Sequence, residues 1–280
     1  MDAKVFDDIL VEDVEYYRHA TGPLLARIYR PKHAVSAAAL VSLHGGRWVG
    51  ESRLSNAVID AALARAGAVV MAIDVRKPPV ARYPEPIADV NFATRWLKQH
   101  AEEFGSRPEL VGGIGTSSGG HQLMTSAMRP ADPRYAALSC SGEHDASLAY
   151  LVVAWPVIDP LARYKMVKAK GMTGYLDAHH AYWPDEEAMA EGNPALILQR
   201  GEPVLLPPTL YIQGAADAAL PSDMADNFAA ACRRAGGMLD LKKFEGQGHT
   251  FVTKEPDTPA SLAAVNVIKE FVRYRAALLR

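Results

Sequence analysis

Gly115-Thr116-Ser117-Ser118-Gly119-Gly120 decides how this 280-residue chain is read. The hexapeptide follows the apolar run 110–114 and precedes a stretch, 119–128, with apolar residues at helical spacing, so it is expected to turn a strand into a helix. In such a turn the pattern Gly-x-Ser-x-Gly has a steric meaning. The serine is held in a strained backbone conformation, and the positions two before and two after it must lack side chains to avoid collision. Gly115 and Gly119 meet that requirement. The turn would lift the Ser117 hydroxyl above the sheet edge and leave the backbone N–H of Ser118, at the helix start, available to a developing oxyanion.

A five-residue pattern with three fixed positions recurs by chance, and its weight here comes from company and order. His44-Gly45-Gly46 lies upstream, Asp217 lies downstream in Gly214-Ala215-Ala216-Asp217, and His249 sits in Gly246-Gln247-Gly248-His249. A serine hydroxyl is a poor nucleophile at neutral pH. Acyl transfer therefore needs a base within hydrogen-bonding reach and an acid that fixes the base's tautomer. His249 follows the last expected strand, on a loop at the carboxyl ends of the strands where Ser117 should also emerge, and is the candidate base. The other histidines are less suitable: His19 and His33 fall in an edge hairpin region, His100 on an amphipathic helix, His121 one helical turn beyond the serine, and His179 and His180 in an inserted segment. Asp217 follows the expected strand 209–213 and is the candidate acid. Its rivals Asp223 and Asp226 fall in the first turns of a helix beginning near Pro221, where an acidic residue commonly complements the helix dipole. Gly45 and Gly46 end the strand 37–43 and can aim two unobstructed amides at the oxyanion from the side opposite Ser118, with His44 orienting the loop.

Outward from these positions, short apolar runs alternate with longer amphipathic ones, the pattern of a mostly parallel sheet flanked by helices, an α/β fold. Strands are expected at 14–19 and 24–29, as an antiparallel edge hairpin, and at 37–43, 68–73, 110–114, 150–154, 209–213 and 238–244. Helices are expected at 56–66, 86–103, 119–128, 222–235, with Ser222 as its cap, and 259–279. The segment 159–201 breaks the rhythm. It carries Met166, Met172, Tyr175, His179, His180, Tyr182 and Trp183, a composition suited to a mainly helical cap over a pocket, so the whole of 1–280 reads as one domain with a cap insertion at about 159–201.

Composition narrows the classes further. Hydrophobic residues make up 49% and charged residues 22%, with a formal net charge of -2, so no basic surface points to nucleic acid. The first eight residues show no basic region followed by an apolar stretch, and no apolar run is long enough to span a bilayer, so a cytoplasmic protein without membrane partners is expected. Cys140 and Cys232 are too few for a disulfide framework and lack metal-ligand spacing, and are read as buried small side chains.

The order Ser117, Asp217, His249, with His44-Gly45-Gly46 upstream, resembles the α/β-hydrolase superfamily and, within it, the esterase and lipase branch that includes hormone-sensitive lipase-like, feruloyl-esterase-like and kynurenine-formamidase-like enzymes. Asp74-Val75-Arg76 followed by Tyr83-Pro84 and Asp89, and Trp155-Pro156-Val157-Ile158-Asp159-Pro160 before the insertion, extend the resemblance over most of the chain. It implies a serine hydrolase cleaving a small carboxylic ester through an acyl-enzyme, without cofactor or metal, on a small-molecule substrate. An amidase acting on N-formyl arylamines such as formylkynurenine and a non-catalytic binding protein on the same fold are the alternatives, and a homo-oligomer is compatible with either. Where lipase-like members often have a third glycine this chain has Arg47, followed by Trp48, so His-Gly-Gly-x-Trp is nearer the formamidase and feruloyl-esterase style. At that departure Arg47 could receive an anionic substrate group; by the resemblance itself Trp48, Trp155, Tyr182 and Trp183 would line the pocket, and His121 would be structural support.

Overall fold

The computed structural model describes residues 8–32 and 38–279. The amino-terminal residues 1–7, His33 and the expected strand start Ala37 lie outside the described residues. Within them, eight strands form one sheet in the order β1-β2-β4-β3-β5-β6-β7-β8. These are β1 (Ile9–His19), β2 (Gly22–Pro31), β3 (Ala39–Leu43), β4 (Val69–Ile73), β5 (Val111–Thr116), β6 (Leu151–Ala154), β7 (Thr209–Gly214) and β8 (Leu239–Phe244). The hairpin β1–β2 joins β4 antiparallel, and the pairings from β4 through β8 are parallel. Strands β3 to β7 are buried along their whole length, as a parallel sheet covered on both faces requires, which is why they read as apolar runs without alternation.

The helices are α1 (Ala57–Arg65), α2 (Glu85–Gln99), α3 (Ser118–Met128), α4 (Pro160–Ala169), α5 (Thr173–Tyr182), α6 (Glu186–Glu191), α7 (Pro194–Gln199), α8 (Met224–Arg234), α9 (Phe251–Lys254) and α10 (Pro259–Leu278). Alternate residues of β4 go to opposite faces of the sheet. Val69, Met71 and Ile73 pack with α2, α3 and α8 through Ile87, Leu123 and Phe228, whereas Val70 and Ala72 pack with α1 and α10 through Ile59 and Ile268.

Four sequence expectations change. Strand β1 reaches back to Ile9, because its exposed positions carry charges such as Asp13, which pairs with Arg27 at 2.8 Å, and these mask the apolar period. The helix expected at 86–103 ends at Gln99, and a short 3-10 turn, Glu102–Phe104, closes on left-handed Gly105. Ser222 is no cap: a turn from Pro221, with the Met224 amide on the Pro221 carbonyl at 3.2 Å, delays α8, and its capping position falls to Asp223 without a side-chain bond. Between β6 and β7 the chain forms α4 to α7, three of them side-chain capped, by Asp159, Asp185 and Asn193. Cys232 is buried, but Cys140 is only half-buried. No helix among the described residues is long and apolar enough to cross a membrane.

Candidate active site

Ser117 stands between β5 and α3 with φ 49° and ψ −119°. Its amide donates to the Ala154 carbonyl on β6 at 2.9 Å, and its carbonyl accepts from Val157 at 3.1 Å and His121 at 3.2 Å, so three neighbouring segments hold the strained residue in place. The flanking glycines are obligatory for space. A Cβ on Gly119 would come within 2.2 Å of the His44 carbonyl oxygen, and one on Gly115 within 2.7 Å of the Gly120 Cα.

From Ser117 a line of hydrogen bonds leads across the carboxyl end of the sheet. The Ser117 hydroxyl lies 2.9 Å from His249 Nε2, and His249 Nδ1 donates to Asp217 Oδ2 at 2.7 Å. Asp217 is fixed by its own partners: Oδ1 accepts from the Ala219 amide at 2.8 Å and Oδ2 from Gln213 Nε2 at 3.0 Å. The two loops are joined through backbone, the Ala216 amide donating to the Gln247 carbonyl at 2.9 Å, where a side chain on Gly214 would come within 2.4 Å. Burial pushes the Asp217 carboxyl up, but the hydrogen bond and charge of His249, the Ala219 amide and Gln213 outweigh it, and the group sits below the ordinary carboxylate range. It is therefore ionised at neutral pH and holds the imidazole with Nε2 toward the serine.

On the other side of Ser117 the loop after β3 closes tightly, the Val49 and Gly50 amides both donating to the Gly46 carbonyl, at 3.1 and 2.9 Å. Gly46 has φ 89°, and a Cβ there would meet the Gly50 carbonyl oxygen at 2.4 Å. A Cβ on Gly45 would stand 3.1 Å from that of Ser117, so the Gly45 backbone lies directly against the serine. Neither the Gly45 nor the Gly46 amide has an acceptor among the described residues, and the Ser118 amide opens α3 with none. His44 Nδ1 donates to the Gly45 carbonyl at 2.9 Å, and burial lowers this ring to about 4, which keeps it a neutral support. The Trp48 amide, donating to Ser118 Oγ at 3.0 Å, ties the loop to α3.

A cavity of about 250 Å³ opens at Ser117, with Arg47, Glu51, Asn56, Trp155, Tyr175 and His249 in its wall. Of the side chains expected there, Arg47 and Trp155 line it. Trp48, Tyr182 and Trp183 do not: they are fully buried in one aromatic cluster, Trp48 stacked on Tyr182 at 5.1 Å and Trp183 edge-on to both. Their rings are consumed in holding α5 against the loop after β3, which leaves no face toward the cavity. His121 belongs to the same cluster, its Nδ1 accepting from Trp48 Nε1 at 3.2 Å and its Nε2 donating to the Gly192 carbonyl at 2.8 Å. His19 pairs with Asp89, which also holds Arg76.

Three features escape the sequence reading. Glu51 reaches the cavity from a left-handed residue, φ 64°, with no local signature in the sequence. Thr250, also left-handed at φ 63°, redirects the chain after His249 into α9. Asn56 accepts from Thr116 Oγ1 at 3.0 Å and donates to the Leu43 carbonyl at 3.2 Å, tying together the ends of the two strands that carry Gly45 and Ser117. No group of three or more His, Cys, Asp and Glu among the described residues is arranged to hold a metal.

A family described as alpha/beta hydrolase fold matches residues 40–253. A probable carboxylic ester hydrolase of Mycobacterium tuberculosis is 29% identical over 188 residues, 61% of this chain and 42% of the relative. An ethyl acetate hydrolase of Pseudomonas putida is 32% identical over 164 residues, 57% of this chain and 49% of the relative. The chain thus spans about half the length of the curated relatives it matches. Among solved structures, the carboxylesterase EstE1, cloned from a metagenomic library, superposes with a TM-score of 0.78 at 22% identity, covering 95% of this chain and 89% of the other. Thermogutta terrifontis esterase 2 superposes with a TM-score of 0.74 at 24% identity, covering 95% and 94%. At these identities the likeness is one of fold.

Proposed function

Because the chain belongs to the alpha/beta hydrolase fold family, matched over residues 40–253, we propose that it is a serine hydrolase that cleaves a small carboxylic ester through an acyl-enzyme. The observation that carries this reading is the continuous line Ser117, His249, Asp217, with contacts of 2.9 and 2.7 Å, opposite unengaged glycine amides. Ser117 Oγ attacks the ester carbonyl while His249 Nε2 takes its proton. The carbonyl oxygen, now negative, is received by the amides of Gly45, Gly46 and Ser118, and the ionised Asp217 stabilises the imidazolium. The imidazolium returns its proton to the leaving alcohol. Water, deprotonated by the same nitrogen, then attacks the acyl group and frees the acid and Ser117. The matched relatives named for ethyl acetate and for carboxylic esters favour an ester over an amide. Helices α4 to α7 act as a cap within a single domain.

The test is a burst-phase assay with a short-chain 4-nitrophenyl ester, together with mass spectrometry of protein trapped by an organophosphonate. A single adduct on Ser117, absent from Ser117→Ala, is expected. Turnover retained beyond a trace in Ser117→Ala would remove the serine from the nucleophile role. Rates on an aryl ester and on its formanilide analogue separate the esterase from the amidase.

A further inference from the structure

Arg163, on α4, is completely buried, yet no carboxylate is paired with it among the described residues, and its Nε and Nη2 have no hydrogen-bond partner there. Its guanidinium lies 5.3 Å from the centroid of the Trp48 ring and 4.9 Å from that of Tyr175. Such contacts use the attraction of a cation for an aromatic face and satisfy no N–H donor. Burial lowers its pKa to about 10, with Arg47 adding to the fall, and that still leaves it charged at neutral pH. A cation held dry, with donors unmet, is costly unless something else supplies the acceptor.

The surroundings say where that acceptor comes from. Arg47 converges on the same ring, 5.4 Å from the Tyr175 centroid; its Nη1 donates to the Gly174 carbonyl at 2.9 Å, and no carboxylate pairs with it among the described residues. Tyr175 walls both the cavity at Ser117 and a larger one of about 470 Å³ on the far side of His249, and Lys254 lines both. Of the acids near this region, Asp217 accepts its hydrogen bonds from His249, Ala219 and Gln213 and acts on Arg163 only through its charge. Glu51 is opposed by Lys77 as well as Arg47, and burial raises its carboxyl. Glu255 stands with Lys254 in the wall of the larger cavity, which leaves Arg47 and Arg163, both against Tyr175, as two guanidiniums with no carboxylate hydrogen-bonded to them among the described residues.

We propose that the site selects esters carrying a second, ionised carboxylate, received by Arg47 in the cavity wall and by Arg163, which lines neither cavity and is reached when the Tyr175 ring that covers it turns aside. A planar guanidinium matches a carboxylate with two parallel N–H···O bonds, and in a dry site their attraction is less screened than in water, at a desolvation cost that Arg163 has already met on folding. The proposal rests on the hydrolase reading above, since the ester bond is the one cut at Ser117, but it makes Arg163 a specificity residue on a helix distant in sequence from every catalytic position.

The experiment compares kcat/KM for two matched pairs. Mono-4-nitrophenyl glutarate against 4-nitrophenyl butyrate places the carboxylate on the acyl side. Acetoxybenzoate against its methyl ester places it on the alcohol side. The charged member is expected to be preferred at least tenfold in one pair, and Arg163→Met to lower that preference at least tenfold, with Arg163→Lys intermediate. Calorimetric titration of the wild-type protein and of Arg47→Met with glutarate reads the same site without catalysis and without relying on the Arg163 variant folding; wild-type binding weakened in Arg47→Met is the expected result. Neutral esters turned over with no preference for charge, and no glutarate binding, would overturn the carboxylate site and leave the hydrolase reading intact. Glutarate bound, with no ester cleaved, would retain the site and overturn the hydrolase reading. A preference unchanged in a folded Arg163→Met would remove Arg163 from it.

Discussion

Asp217 shows what a single side chain contributes at this site. Its two oxygens accept three hydrogen bonds, one of them from His249 Nδ1 at 2.7 Å. An asparagine has the same shape but only one accepting oxygen. If that oxygen stays on the Ala219 amide, its NH2 faces His249, and the ring must turn to the tautomer that presents a lone pair at Nδ1 and a proton toward Ser117. Asp217→Asn is therefore expected to lower kcat by about 10⁴-fold, with KM and the circular dichroism spectrum little changed, against about 10⁶-fold for Ser117→Ala. Steady-state kinetics on a 4-nitrophenyl ester decides. A loss under tenfold would show that Asp217 does not set the tautomer. These positions were legible in the sequence because each sits at the end of an apolar run beside glycines that have a steric task, as the 2.2 Å clash at Gly119 makes plain. Trp48, Tyr182 and Trp183 were legible as aromatic and as neighbours of the site, but an aromatic that lines a pocket and one that fills a core have the same composition signal. Only packing separates them. Arg163 was silent in sequence for a related reason: arginines are usually exposed, and nothing adjacent to it marks a buried one.

At the level of elements, the site is set by how strand ends are tied to helix starts. The end of β3 meets the start of α1 through a buried polar network: Ser42 Oγ donates to Asp60 Oδ1 at 2.7 Å, and Asn56 links Leu43 to Thr116, the residue before Ser117. Among the described residues Asp60 has no cation beside it, and its Oδ2 is unpartnered. Burial pushes its carboxyl up to about 8, with the Ser42 hydrogen bond pulling the other way. In the unfolded chain the same group has its ordinary value of 3.8. Between these two values the unfolded chain has lost the proton and the folded chain keeps it. Folding therefore takes up a proton, and stability falls as pH rises, by at most about 1.4 kcal/mol per pH unit, until the folded group also ionises. Asp60→Asn, neutral throughout, is expected to flatten that fall. Urea unfolding of both proteins at pH 5, 6, 7 and 8 measures it, and equal slopes would mean that Asp60 is already ionised in the folded protein. The elements themselves were legible where they are short, apolar and bounded by glycine or proline, as in β3 to β7. They blurred where charge covers an edge strand, as in β1, or where a proline turn precedes a helix, as at Pro221 before α8.

For the molecule as a whole, the question is whether α4 to α7 form a separate body or part of one core. Tyr164, Tyr182, Met189, Ile197 and Leu198 from these helices, and Trp183 between α5 and α6, belong to the same hydrophobic cluster as Val41 of β3, Met71 of β4 and Leu123 of α3. Trp183 is the junction: its ring lies 4.7 Å from Tyr83, 5.3 Å from His121 and 5.7 Å from Trp48, residues that precede α2, lie on α3 and follow β3. Truncating it opens a cavity where four segments meet, and the neighbouring rings are too large and too constrained to collapse into it. Trp183→Ala is therefore expected to cost about 3–5 kcal/mol. Because the cavity lies within a shared core, that cost should appear as a lower midpoint of one cooperative transition, coincident by near-UV dichroism and by hydrogen exchange of 160–199 and of the central strands. Exchange in 160–199 that accelerates while the strands remain protected would mean that these helices open on their own, and the single-domain reading would give way to a cap that moves independently. The same cluster also carries Arg163 against Trp48, so a cooperative loss would reach the carboxylate site as well: in Trp183→Ala, discrimination between charged and neutral esters should decline with the folded population rather than ahead of it.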